Sequence, residues 1–249
     1  MLQPDNSFIR TFEIGSHIAD FNRELLPNHL FNLLQETAVS HSEALGMGWD
    51  ALHAKGLFWA LSKIDVEILR MPKWLERIRI ITWSKEYHLL VQPRDFFVET
   101  ESGELLARVT SNWALVDLEG KPHLIEEVKD GLHHRLGCDA LEKPASRLRK
   151  VTEGNWSEVH PVLYSHLDLN QHVNNTAYIA WAMDNFDYAF HRQHRIKFIS
   201  INYLVQTHPD DHYRILQQET EPNHFAASIF EAEKGLELCR VATVWTQAQ

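Results

Sequence analysis

The strongest constraint on this chain is a pattern that occurs twice. In the first copy, alternating residues over 8–14 suggest a strand, which 18–21 continue as a second one. A helix begins near Pro27, because proline is tolerated in a first helical turn. Leu30, Leu33, Leu34, Thr37, Ala38, His41 and Leu45 then fall on one helical face, up to the break at Gly46-Met47-Gly48. Strands follow over 57–69, 76–83, 93–99 and 105–116. The second copy has the same order: a strand over 159–165, a helix from 174 to about 190, and strands over 196–205, 213–219, 225–233 and 236–245. The closing strands agree in letters, Ala107-Arg108-Val109-Thr110-Ser111-Asn112-Trp113 against Cys239-Arg240-Val241-Ala242-Thr243-Val244-Trp245. Lys63-Ile64 and Lys197-Phe198 enter the two long strands alike. A long helix followed by antiparallel strands, repeated, predicts an α+β fold of two tandem units in which a sheet wraps a helix. The units are expected over 1–130 and 155–249. The charged, aperiodic stretch 131–154 is expected to link them, with room for a short helix.

Composition narrows the partners. With 44% hydrophobic residues among 249, the chain can bury a substantial core. No apolar run approaches the roughly 20 residues needed to span a bilayer, so no membrane insertion is expected. Residues 1–7 are polar and show no export signal, and two cysteines cannot staple a chain of this size. A reducing, cytoplasmic location is expected. A net charge of −10 argues against nucleic-acid binding. No metal-ligand spacing and no cofactor motif is present; His166, Asp168 and His172 do not have the spacing of a zinc site. No serine lies in a G-x-S-x-G elbow, which argues against an α/β-hydrolase triad. His41 is expected to be a core histidine, and Cys239 buried filler.

The chemistry concentrates in one run, from His166 to Trp181. Asp168, Asn170 and His172 alternate with Leu169 and Gln171, and Asn174 and Asn175 stand where the second helix begins. Such residues serve equally as turn and cap chemistry or as a functional cluster. A helix start offers free N–H groups and the positive end of the helix dipole, here at Val173, Asn174 and Asn175, and both favour a developing oxyanion.

The run Asp168-Leu169-Asn170-Gln171-His172-Val173-Asn174-Asn175, followed by Tyr178 and Trp181, resembles the hallmark of the acyl-acyl carrier protein thioesterases. Leu34-Gln35-Glu36-Thr37-Ala38, Trp59-Ala60-Leu61-Ser62, Pro72-Lys73-Trp74, Arg94-Asp95-Phe96 and Ser111-Asn112-Trp113 resemble that family's first half. The resemblance runs from about Phe8 to Trp245. It implies two hotdog domains and hydrolysis of the thioester between a fatty acyl chain and the phosphopantetheine arm of acyl carrier protein (ACP). It places Asp168, Asn170 and His172 in the catalytic set. It also implies a glutamate in a Tyr-x-x-Glu pattern, where this chain has Tyr203-Leu204-Val205-Gln206. His172 is then the expected base, with Asp168 fixing its tautomer or orienting Asn170, and Asn170 donating to the thioester carbonyl. Gln206 can position water but cannot act as a base. Asp210 and Asp211, the nearest acids, stand in a Pro-Asp-Asp turn and read as turn residues.

The first hotdog is expected to form the acyl pocket, with Leu30, Leu34, Trp59 and Leu61 at its floor. An acidic carrier calls for a basic rim, for which Arg147, Arg149, Lys150, Arg192, Arg195 and Lys197 are the candidates. The residues leave coenzyme A open as an alternative carrier, and an acyl-binding module that has lost catalysis as an alternative role. Chain-length preference is not encoded legibly, and monomer and homodimer are both compatible with two hotdogs in one chain.

Overall fold

A computed structural model describes residues 1–131, 134, 135 and 137–248. It divides into two compact units, Met1–Ala145 and Ser146–Gln249. Residues 132, 133 and 136 of the expected linker lie outside the described residues.

The first unit carries strands β1 (Phe8–Glu13), β2 (Leu57–Ile68), β3 (Arg77–Ser84), β4 (Gln92–Thr100) and β5 (Leu105–Asp117). They form an antiparallel sheet in the order β1-β3-β4-β5-β2, with the short β6 (Pro122–His123) paired to β5. Helix α1 (Pro27–Ala44) begins with Pro27 in its first turn, as the sequence predicts. Its buried residues, Leu30, Phe31, Leu34, Thr37, Ala38 and His41, recur at helical spacing, so one face meets the sheet and the other meets water. The helix ends in a Schellman motif: Met47 N–H donates to Ser42 O (2.9 Å) and Gly46 N–H to Glu43 O (3.0 Å). Gly46 sits at φ 71°, a conformation that costs a residue without a Cβ little. A five-residue helix, α2 (Trp49–His53), leads into β2.

His41 is a core residue, as expected. Its Nδ1 accepts from Arg94 Nη1 at 2.8 Å, and Arg94 also donates to Thr82 Oγ1 (3.2 Å) and Ser84 Oγ (3.3 Å). Burial pushes the Arg94 guanidinium down to about 10, so the hydroxyls and imidazole around it are what keep that charge tolerable. The strand expected over 18–21 is absent. A 3-10 turn (Ser16–Ile18) stands there, followed by one isolated bridge between Ala19 and Leu25. Asp20 gathers the local backbone instead, accepting from Asn22 and Glu24 N–H, which bends the chain out of an extended path.

The second unit repeats the plan. Strands β9 (His194–Tyr203), β10 (His212–Glu221), β11 (His224–Glu231) and β12 (Glu237–Gln247) pair antiparallel in the order β9-β12-β11-β10. Two short strands, β7 (Asn155–Trp156) and β8 (His160–Pro161), pair with β10. The strand expected over 159–165 thus shrinks to β8: Val162 N–H still donates to Asp211 O (2.9 Å), and a 3-10 turn (Tyr164–His166) then takes the chain out of the extended path. The single helix expected from 174 to about 190 is two, α3 (Asn175–Asp184) and α4 (Tyr188–Gln193). Asp187 causes the break: its Oδ1 accepts Phe190 N–H at 2.7 Å, capping a new helix rather than continuing the old one. Cys239 on β12 is fully buried and burial drives its thiol well above the ordinary range, which suits filler and not a nucleophile.

The stretch read as a linker is pinned by hydrogen bonds in each unit. In the first, Ala140 N–H donates to Asp95 Oδ2 (2.8 Å) and Trp83 Nε1 to Cys138 O (3.0 Å). In the second, Leu148 N–H donates to Asn202 Oδ1 (2.9 Å) and Val151 N–H to Ser228 Oγ (3.0 Å). Its charged side chains hid this from a hydrophobic reading, because the contacts are made by backbone.

Ile80, fully buried on β3, tests the core of the first unit. Ile80→Ala is expected to destabilise by about 2–5 kcal/mol in urea unfolding. Leu118→Ala, at an exposed turn, is expected to stay within about 0.5 kcal/mol of the parent.

Candidate active site

The segment before α3 is closed on itself by backbone. Asp168 N–H donates to His172 O (2.8 Å) and Gln171 N–H to Asp168 O (3.1 Å), with Gln171 in the left-handed region at φ 61°. The Asp168 carboxylate sits inside this turn. Its Oδ1 accepts both Asn170 N–H (2.8 Å) and His172 N–H (3.1 Å). One oxygen therefore sets the backbone of the amide and the imidazole together. The expectation that Asp168 fixes the His172 tautomer is corrected here: its bonds go to backbone N–H groups, and His172 Nδ1 is shut from solvent without a hydrogen-bond partner among the described residues. The Asp168 carboxylate bonds the backbone of Asn170 and of His172 alike, and neither side chain.

Helix α3 starts directly after. Asn174 is its N-cap, and its Oδ1 accepts Thr176 N–H and Thr176 Oγ1, each at 2.9 Å. Val173 N–H donates to Thr207 O (3.1 Å) and Asn174 N–H to His166 O (2.8 Å). These two donors are thus spent on carbonyls, which corrects their assignment to an oxyanion site. Asn175 N–H, the first of α3, has no acceptor among the described residues and keeps the dipole end available.

The loop after β9 completes the surroundings. Thr207 is buried, and its Oγ1 bonds Tyr178 OH at 2.7 Å while its carbonyl takes Val173 N–H. Tyr203 OH donates to Asn175 O at 3.0 Å, tying β9 to the start of α3. Gln206, the residue before Thr207, is exposed, and the Thr207 carbonyl ties this loop to the segment before α3. Asp211 Oδ2 accepts His208 N–H (2.9 Å) and Asp210 has φ 69°, so both serve the turn, as expected. Sequence reading missed Thr207 and His208. Neither belongs to a recognisable pattern, and only the fold brings them against residues before α3.

Burial is the largest influence on His172 and holds its imidazole below the ordinary histidine value. Asp168 opposes that shift and His208 adds to it. A neutral imidazole at the start of a helix, beside an exposed Asn170 amide, can accept a proton while N–H donors face a polarised carbonyl. His166 has a different part. Its Nδ1 accepts Leu163 N–H (3.0 Å), so its proton is on Nε2 and the 3.4 Å approach of Trp181 Nε1 is an edge contact rather than a hydrogen bond.

Of the residues expected to line an acyl pocket, Leu30, Leu34 and Leu61 are buried in the first unit. Trp59 packs against Met47, Leu52, Leu57, Leu115, Ile125 and Val128. The basic residues are scattered. Arg147 and Arg149 are exposed, Lys150 Nζ lies 5.2 Å from the centroid of the Phe230 ring, and Arg192 stands over Tyr188. Arg195 donates to the carbonyls of His191 and His194, and Lys197 on β9 is half-buried. Residues 151–191 contain no Lys or Arg, so the turn before α3 carries neither.

A histidine and an asparagine stand just before the N-terminus of α3, in a unit whose antiparallel sheet packs against that helix. The sequence matches the acyl-ACP thioesterase N-terminal domain over residues 5–132 and the acyl-ACP thioesterase C-terminal domain over 149–247. The chain belongs to the acyl-ACP thioesterase family. It is 26% identical over 245 residues to the chloroplastic oleoyl-acyl carrier protein thioesterase 2 of Arabidopsis thaliana, covering 89% of this chain and 64% of that one. It is 27% identical over 263 residues to the chloroplastic palmitoyl-acyl carrier protein thioesterase of Gossypium hirsutum, covering 96% and 62%. The chain therefore spans somewhat less than two thirds of these relatives. The crystal structure of an acyl-ACP thioesterase from Bacteroides thetaiotaomicron superposes with a TM-score of 0.87 at 26% identity, covering 96% of this chain and 98% of that one. The 12:0-ACP thioesterase from Umbellularia californica shares the fold, with a TM-score of 0.86 at 22% identity and full coverage of both chains.

The double acceptor at Asp168 is testable. Asp168→Asn keeps a carbonyl oxygen for both N–H groups and is expected to retain most of the turnover. Asp168→Ala strands both donors and is expected to lower kcat about 10- to 100-fold, read in steady-state kinetics. Equal losses in the two variants would show that the carboxylate charge, rather than its acceptor geometry, is what the site needs.

Proposed function

We propose that this chain hydrolyses fatty acyl-ACP to a free fatty acid and the carrier thiol. The observation that carries the reading is His172, kept neutral by burial and held by the Asp168 turn at the start of α3, in a chain of this family. Water, oriented by the Gln206 carbonyl oxygen, attacks the thioester carbon as His172 takes its proton. The Asn170 amide and Asn175 N–H stabilise the oxyanion. The tetrahedral intermediate collapses, the C–S bond breaks, and the imidazolium returns its proton to the departing sulfur. A thiol leaves readily near neutral pH, so this last transfer asks little of the protein.

The acyl chain enters the first unit, where Leu30, Leu34, Trp59 and Leu61 close the pocket. The acidic carrier meets Arg147, Arg149, Lys150, Arg192, Arg195 and Lys197. The reaction ends a round of fatty acid biosynthesis in the cytoplasm, and a homodimer is compatible with it. Gln206 favours one second reading, an acyl-binding protein of low turnover, because an amide cannot take a proton from water.

A panel of acyl-ACP thioesters assayed against the matching coenzyme A esters separates these readings. The parent is expected to prefer the ACP esters, His172→Ala to lose about 10²–10⁴-fold in kcat, and Gln206→Glu to gain rate. Unchanged turnover in His172→Ala would overturn the mechanism. Tight acyl binding without turnover in the parent would establish the second reading, and preference for the coenzyme A esters would reassign the carrier.

A further inference from the structure

His172 does not stand alone. The His208 ring meets it edge to face, with centroids 5.4 Å apart and planes at 72°. His208 is exposed, yet its backbone is fixed from several directions. Thr207, its neighbour, is locked to Val173 N–H and to Tyr178 OH. His208 N–H itself donates to Asp211 Oδ2, and Asp211 N–H returns to His208 O at 3.4 Å. These bonds fix the His208 Cα beside the segment before α3, and its ring packs edge to face on the His172 imidazole.

We propose that His208 is a positioning residue for His172, holding its ring in place and, as a charge, holding it in the neutral form that a base requires. The inference rests on the thioesterase reading for its consequence in rate, but not for the pairing of the rings. Two imidazoles this close repel each other when both are charged, so a proton on one ring disfavours a proton on the other. The other groups around them sort clearly. Asp168 pulls His172 toward the charged form and is the opposing influence. Tyr178 and Tyr203, whose hydroxyls burial drives upward, stay neutral. Asp211 faces the His208 backbone and has Lys234 Nζ at 4.0 Å. His208 is therefore the one nearby group among these whose protonation works in the same direction as burial. A histidine at this place compensates in part for an amide at 206: the water is not deprotonated by a second acid residue, so His172 must remain unprotonated over a wider range.

The test is an NMR titration of the His172 imidazole, which needs no turnover, beside the pH profile of kcat/KM. In the parent, the His172 midpoint and the acid limb are expected below the ordinary value of 6.5. His208→Gln and His208→Phe are both expected to raise the midpoint and to move the acid limb up with it. His208→Lys, which restores a positive charge, is expected to keep both at or below the parent. His208→Phe retains an aromatic ring, so a midpoint that rises in Gln but not in Phe would replace the charge by simple packing. An unchanged His172 midpoint in both neutral variants would overturn the proposal. A parent that shows the NMR shifts but no hydrolysis would leave the pairing standing and remove the thioesterase reading instead.

Discussion

Helix α3 is apolar nearly all the way round, and the second unit is a consequence of that. Thr176, Ala177, Tyr178, Ile179, Trp181, Ala182 and Met183 are all buried. A helix without a polar face has to be enclosed. Trp181 stacks on Tyr213 of β10 at 3.7 Å between centroids, and Tyr178 meets Tyr203 of β9. Enclosing the sides leaves the ends. The N-terminus of α3 is where polar chain emerges from an apolar wrap, so the Asn175 N–H and solvent-facing side chains meet there at the margin of a low-dielectric region. The imidazole at that margin gains its neutrality from the same burial that holds the helix.

The loop after β9 carries more of the site than its composition suggests. A buried threonine with one acceptor for Val173 and one hydroxyl for Tyr178 fastens the two chain segments that the chemistry needs. Asp168 does the equivalent within its own segment by accepting two N–H groups on one oxygen. Neither device uses an ion pair. Both work through backbone, which is less mobile than a long charged side chain and is less affected by salt.

What the sequence disclosed follows from periodicity. Helix α1 was legible because Leu30, Leu34, Ala38 and His41 share a face, and β2, β3, β4 and β5 because they alternate between turns. The duplicated order of elements was legible for the same reason. The errors fell where local turn and cap chemistry overrides a pattern: Asp187 starts a helix inside an apolar run, Asp20 turns an expected strand, and the 3-10 turn over Tyr164–His166 ends another. Before α3, the clustering of Asp168, Asn170 and His172 was legible from their run, but not the direction of their bonds. An aspartate before a histidine reads as its partner, whereas the turn aims the carboxylate at backbone. The nearness of His208 to His172 was illegible, since it depends on where Thr207 is anchored and no local pattern records that.

Cys239 gives the second sheet a reporter of its own opening. Its thiol is fully buried on β12, between the ladders to β9 and β11, while Cys138 in the first unit is only partly covered. A thiol reagent can reach Cys138 in the folded molecule, but Cys239 only after β12 separates from a neighbour. The slow phase of labelling therefore times how often β12 and its neighbouring strands come apart, a local unfolding clock written into the chain without any added probe.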